Sequence, residues 1–270
     1  MERLDAIVDV ASTESGSEIV TATCERCEQP FEYEQHYVRY LGETRPVPVA
    51  TLCPACREAE LNAQVLEEKR RRFDRAMARY RDGHLGSRLA GASFAAFLEG
   101  PHNAAALEMA QRWLGQAPRP NLLIVGPVGS GKSYLAACIH NALLAGQQPV
   151  HWLNAGSLVT RIRRGFTDPD AAARANRWLE NAETATVLVL DDLGKVHPGK
   201  DVSWVEETFY GIAEARYRDE LPTVVTTEWK SGALAERVGA SVVSRLAHGA
   251  WVVSIKRPPK PYRWEAEGAR

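Results

Sequence analysis

The strongest constraint on the fold of this chain is the run Gly126-Pro127-Val128-Gly129-Ser130-Gly131-Lys132-Ser133. An apolar stretch, 121–125, precedes it and Tyr134-Leu135-Ala136-Ala137-Cys138 follows, so the segment reads as strand, loop and helix around the phosphate-binding pattern G-x-x-x-x-G-K-[ST]. Such a loop needs a strand to leave, a helix whose first N–H groups point at an anion, and glycines that let successive amides curl inward. Residues Gly126 to Tyr134 are therefore the expected ATP contact, with Lys132 on the β- and γ-phosphates and the Ser133 hydroxyl on Mg²⁺. A glycine-rich turn that binds nothing is the plainer alternative, and the flanking strand and helix weigh against it.

A second apolar run, Val187-Leu188-Val189-Leu190, ends in Asp191-Asp192, some 55 residues after the loop. In a parallel sheet the site lies at the carboxyl ends of the strands, which suits Asp191 to hold Mg²⁺ through water and Asp192 to orient or deprotonate the attacking water. A helix cap or a turn is the competing reading of two adjacent acids.

Cys24-Glu25-Arg26-Cys27 and Cys53-Pro54-Ala55-Cys56 are two C-x-x-C knuckles 25 residues apart. Short strands are expected between them, at 31–33, 37–41 and 47–52. Four thiolates at this spacing suit a closed tetrahedral Zn²⁺ site, which supplies folding energy that so short a segment lacks. Disulfides are the alternative, disfavoured in a chain whose first twenty residues carry acids where a secretory signal carries bases and an apolar middle. His36 is a further potential ligand, but four cysteines already fill the shell. Cys138 falls on the apolar face of the helix after the phosphate loop and reads as core.

Charge divides the chain. Residues 1–62 hold twelve acids against five bases, net −7, and residues 63–90 hold four acids against eight bases, net +4, within a total of −1. Residues 57–80 lack Gly and Pro and carry one apolar stripe, so they read as a connecting helix. Its run Lys69-Arg70-Arg71-Arg72 is either a solvated face or a contact for nucleic acid. No stretch approaches the length of a membrane span, and a cytoplasmic protein with no membrane partner is expected.

From residue 103 the pattern alternates. Helices are expected at 103–114, 132–145, 157–164, 171–181, 203–217, 233–238 and 241–247, and strands at 121–125, 150–153, 187–190, 223–226 and 251–255. That alternation predicts an α/β domain with a doubly wound, parallel five-stranded sheet. The expected division is a loose tail at 1–20, a zinc-binding protein-docking domain at 21–62, a linker helix at 63–85 and an ATPase domain at 86–270.

The order of the phosphate loop, Asp191-Asp192-Leu193-Gly194, Leu221-Pro222-Thr223-Val224-Val225-Thr226-Thr227 and Ser244-Arg245-Leu246 resembles AAA+ ATPases of the DnaC/DnaI helicase-loader and IstB transposition-helper group. The resemblance covers about residues 93–255. It implies a slow ATPase stimulated by single-stranded DNA and self-association through AAA+ interfaces. In that group the strand after the paired acids ends in a polar sensor of the γ-phosphate, usually an Asn. Here Glu228 stands in its place, and an ionised acid cannot donate a hydrogen bond, which passes the expected role to Thr227. Arg245 matches the group's arginine finger, which reaches a neighbour's nucleotide; a structural ion pair is the alternative. Arg263 is a candidate sensor on the tail, where Pro258, Pro259 and Pro261 leave room for only a short lid.

Arg161 and Arg164 share a helical face in the region that members of this group use on DNA, and are either a phosphate track or a solvated face. Loaders of the DnaI type carry an N-terminal zinc domain that docks on the helicase, and the transposition helpers generally lack one. The acidic cysteine module therefore points to a loader that binds a hexameric replicative DNA helicase and places it on single-stranded DNA. The alternatives are a transposition helper acting on duplex DNA, and a nucleotide-binding adaptor that does not hydrolyse.

Overall fold

The computed structural model describes residues 17–40, 43–47, 50–80, 85–195 and 203–258. It separates into two compact units, Met1–Arg71 and Arg72–Arg270. Among the described residues no helix is long and apolar enough to cross a membrane.

In the first unit, β1 (Ser17–Thr23), β2 (Pro30–Tyr40) and β3 (Glu43–Val47) form an antiparallel sheet in the order β1-β2-β3. Ser17 pairs with His36 and Thr23 with Pro30, while β3 covers only the second half of β2, from His36 opposite Val47 to Tyr40 opposite Glu43. The sequence predicts a break between residues 33 and 37, where β2 runs on unbroken, and a loose chain as far as residue 20, of which 17–20 lie in β1. Phe31-Glu32-Tyr33-Glu34 alternates without a turn residue, and the β-branched Ile19, Val20 and Thr21 pair along it. The expected strand at 47–52 stops at Val47. A helix, α1 (Pro54–Arg79), follows. It begins three residues earlier than expected, because Pro54 within the second knuckle suits the first turn of a helix, where its missing N–H costs nothing. None of its side chains is buried.

The second unit runs α2 (Ser87–Ala90), α3 (Ala104–Leu114), β4 (Leu122–Val125), α4 (Lys132–Ala145), β5 (Val150–Asn154), α5 (Ala155–Gly165), α6 (Pro169–Thr184), β6 (Val187–Asp191), α7 (Ser203–Arg218), β7 (Thr223–Thr227), α8 (Ser231–Val238), α9 (Ala240–Ala247) and β8 (Trp251–Ser254). Its five strands are parallel in the order β5-β6-β7-β4-β8, the doubly wound sheet expected. Helices α5 and α6 start earlier than their apolar periodicity suggests, because Asn154 and Asp168 cap them: Asn154 accepts from Ser157 N–H, and Asp168 accepts from Asp170 and Ala171 N–H.

Both sheet faces are covered. Leu122, Ile124, Val189 and Val224 pack with Trp113, Leu135 and Ile139 on one side. Leu123, Leu188, Leu190 and Val225 pack with Leu158, Trp178, Phe209 and Leu246 on the other. Strands buried on two faces read as continuous apolar runs, which is how they appear in the sequence. One core residue was not anticipated. The Arg216 guanidinium is 2% exposed and donates to the carbonyls of Ala182, Ala185 and Pro222 and to the Thr223 hydroxyl, at 2.7–2.8 Å. It satisfies carbonyls at the end of α6, where the helix dipole also favours a cation.

Candidate nucleotide and metal sites

Sheet order positions the first site. Strand β7 lies between β4 and β6, so the chain leaving β4 and the chain leaving β6 turn away in different directions at the crevice where ligands bind in open α/β sheets. The phosphate loop leaves β4 there. Gly129 and Gly131 have φ of 77° and 93°, the left-handed region that favours glycine. At Gly126 a Cβ would stand 2.6 Å from the Ile255 carbonyl oxygen and 3.0 Å from Ser130 Oγ, so any side chain there would push β8 and the loop apart.

Lys132 opens α4 with its side chain folded inward, Nζ donating to the Pro127 carbonyl at 2.8 Å. Burial lowers its pKa, opposed by Asp192, Glu228 and Asp191. Ser130 Oγ is buried without a partner. An inward lysine, an orphaned buried hydroxyl and left-handed glycines at a helix N-terminus fit a bound oxyanion.

Across the crevice, burial raises the Asp191 pKa, against hydrogen bonds to Thr226, Ser133 and Asn154. The Thr226 hydroxyl donates to Asp191 Oδ1 at 2.7 Å, and Asn154 Nδ2 lies 3.5 Å from Oδ2. A hydroxyl beside a buried carboxylate is the hard oxygen set that Mg²⁺ takes, so Ser133 and Asp191 fit that ion. Asp192 sits at φ 59°, its N–H donating to Thr226 Oγ1 at 2.9 Å and its carboxylate paired with Lys195 Nζ at 3.0 Å. One threonine hydroxyl thus orients both acids.

That threonine is Thr226, the neighbour of Thr227, to which the sequence assigns the sensing role. Thr227 is 1% exposed; its hydroxyl donates to the Leu193 carbonyl at 2.8 Å and accepts from Trp229 N–H, so it ties the loop after β6 to β7. Leu190 pairs with Val225, which brings Thr226 beside Asp191 on the same face. Only the register separates two adjacent threonines, and the register needs the sheet order.

Arg245 meets none of these groups. Its Nε pairs with Glu214, Nη2 donates to the Tyr210 hydroxyl at 3.0 Å and Nη1 to the Ser241 carbonyl at 3.1 Å. Arg161 lies over the Trp178 ring, 3.8 Å from its centroid, and both Arg161 and Arg164 are exposed on α5. Arg263 lies outside the described residues, as does most of the expected 1–20 tail.

In the first unit Cys24, Cys27, Cys53 and Cys56 gather with all four sulfurs within 4.8 Å of one another, and none is in a disulfide. Cys24 N–H donates to the Gln29 carbonyl, and Glu25 N–H donates to the Thr51 carbonyl, which joins the two knuckles. A tetrahedral site with Zn–S bonds of about 2.3 Å has sulfurs about 3.8 Å apart; Cys27 and Cys53 stand at 3.8 Å. The Cys24 thiol is lowered to about 6, first by a hydrogen bond from the Cys53 backbone, and Cys56 is pushed up to about 12 by the neighbouring thiols of Cys53 and Cys27. Four sulfurs this close share charge poorly without a cation among them, and the set fits zinc.

Comparison with known proteins places these features in a group. Residues 108–266 match the family described as IstB-like ATP binding protein. A relative from Geobacillus stearothermophilus, named for an ATP-binding role in insertion sequence IS5376, is 27% identical over 145 residues, covering 51% of this chain and 54% of its own length. The chain therefore spans about half of that relative. The crystal structure of the DnaC helicase loader is similar with a TM-score of 0.55 at 23% identity, over 63% of this chain and all of that one. The DnaI crystal structure gives 0.53 at 24% identity, over 63% and 94%. At these identities the two structures bear on the fold, which is the AAA+ P-loop fold.

Proposed function

The chain belongs to the IstB-like ATP-binding family, and from that premise we propose that it is an ATP-dependent loader that binds a hexameric replicative DNA helicase and places it on single-stranded DNA. The observation that carries this reading is the pairing of an ATP-binding AAA+ unit with a separate four-cysteine unit, of which residues 1–62 carry a net charge of −7. A module of that charge suits a protein partner better than a phosphate backbone. Zinc held by Cys24, Cys27, Cys53 and Cys56 keeps the docking surface folded, and residues 72–270 carry the nucleotide cycle.

In that cycle the amides from Val128 to Ser133 and the Lys132 ammonium hold the β- and γ-phosphates. Ser133 and Asp191 hold Mg²⁺, which when bound neutralises charge on the phosphate oxygens. Asp192 orients the attacking water, and the left-handed backbone that aims its carboxylate is fixed by Thr226. Glu228 faces Lys132 as a third acid. Arg245 completes a neighbouring subunit's site. Arg161 and Arg164 lie along the DNA path, with Phe166, 64% exposed at the end of α5, offering a ring beside them.

The test is capture of the purified helicase hexamer by the full chain with and without ATP, followed by unwinding of a forked duplex with single-stranded arms. Helicase capture with ATP-dependent unwinding is expected. A second reading is favoured by one observation, the relative named for an insertion sequence: a transposition helper acting on duplex DNA with a transposase. Duplex retention with transposase stimulation, and no helicase capture, would replace the loader by the helper.

A further inference from the structure

Arg245 is held on its own protomer by every nitrogen of its guanidinium. Tyr210 and Glu214 lie one helical turn apart on the outer face of α7, opposite the buried Val205, Phe209 and Ile212. Glu214 takes Nε, the Tyr210 hydroxyl takes Nη2, and the Tyr210 ring lies 4.5 Å from the guanidinium carbon. The Ser241 carbonyl, one turn back on α9, takes Nη1. A finger acts by bringing an uncompensated positive charge and a fork of N–H donors to the transferring phosphoryl group. Paired with Glu214, this guanidinium offers neither in full.

We propose that Glu214 and Tyr210 form a latch that keeps Arg245 folded onto α7 until a neighbouring subunit's nucleotide displaces them. This rests on the reading of Arg245 as a finger acting in trans. The latch is at the surface, with side chains 25% and 39% exposed for Arg245 and Glu214, so water screens both partners as they separate. Glu214 also has a second cation within reach, since Arg218 follows it by one turn on α7 and feels its charge. In the latched state Arg218 pairs instead with Asp219, at 3.0 Å. Release of Arg245 therefore leaves Glu214 a second cation one turn along the same helix. Glu214 and Tyr210 are positioning residues here, acting through Arg245 without touching nucleotide.

The test is steady-state ATP turnover of the full chain as a function of its own concentration, for four variants. Glu214→Gln keeps the shape and removes the charge. It is expected to raise turnover when the protein is dilute and to lower the half-activating concentration about two- to fivefold, the range of a surface ion pair. Tyr210→Phe keeps the ring and the packing of α7, and is expected to shift the same concentration in the same direction by less; it serves if Glu214→Gln fails to fold. Arg245→Ala is expected to slow turnover at every concentration, and Glu214→Gln combined with Arg245→Ala to match Arg245→Ala alone. Slowing by Arg245→Ala with no gain in either latch variant overturns the latch and leaves the finger standing. Unchanged turnover in Arg245→Ala overturns the finger and the latch together.

Discussion

Among the described residues of the first unit only Cys24, Ala50 and Gln35 are buried, whereas the second unit covers both faces of its sheet with apolar side chains. The same contrast shows in what each site needs. The four sulfurs of the first unit are drawn together by knuckles that have almost no core behind them, so a cation joining them would also be what folds them. The phosphate loop is held by β4, α4 and the Ile255 carbonyl before any nucleotide arrives. On the proposed reading a ligand would act as structure in one unit and as substrate in the other.

Cys53→Ser, or a chelator, is the harshest way to break that comparison. Structural zinc contributes about 10–16 kcal/mol to small sites of this kind. Loss of amide protection across β1 to β3 is expected, with nucleotide affinity at the phosphate loop unchanged. Strands that stay protected without metal would show that the first unit has a core of its own. Lys132→Ala is the reciprocal change. Loss of a charged contact to phosphate, worth about 1.5–3 kcal/mol for each hydrogen bond, should weaken ATP by roughly two orders of magnitude while zinc content and thermal unfolding stay as they were.

A third change examines how well the second unit's core stands without help. His151 on β5 is 0% exposed, both ring nitrogens lack partners, and its ring lies 5.0 Å from Tyr80. Burial first, then Arg216 and His140, lower its pKa from 6.5 to about 4. Because the unfolded chain takes up this proton near pH 6.5 and the folded chain only near pH 4, stability is full above 6.5 and falls between those values. The loss approaches about 3 kcal/mol. His151→Phe should flatten that part of the acid limb in denaturant titrations and cost little at pH 8; an unchanged limb would assign it to other groups.

Thr226→Val and Thr227→Val sharpen the comparison inside the nucleotide site. Removing the Thr226 hydroxyl strips a donor from Asp191 and an acceptor from Asp192 N–H, and should slow hydrolysis about tenfold with ATP still bound. Thr227→Val should instead lower stability by about 1 kcal/mol with turnover nearly kept. The reverse ranking, read from single-turnover rates, would return the role to Thr227. The smallest effect is expected from replacing Arg161 and Arg164 together by Ala. Single-strand affinity should drop several-fold, and the slope of log affinity against log salt should flatten by about 1 to 2. An unaltered slope would remove α5 from the DNA path.

What the residues alone determined is whatever depends on local pattern. The glycines, Lys132 and Ser133 could be read because a phosphate loop uses consecutive backbone amides, and the four cysteines because a knuckle closes within four residues. The apolar runs of β4 and β6 announced a buried parallel sheet for the same reason, since strands covered on two faces leave no polar alternation to misread. Tertiary structure decided what depends on which strand lies beside which. Register, not spacing, put Thr226 rather than Thr227 beside Asp191, and the packing of α9 on α7 set Arg245 against Glu214 and Tyr210, 31 and 35 residues away in the chain. The same holds for Arg216. In the sequence it is one more cation on an amphipathic helix, and only the convergence of α6, α7 and β7 turns it into a buried donor to the carbonyls of Ala182, Ala185 and Pro222.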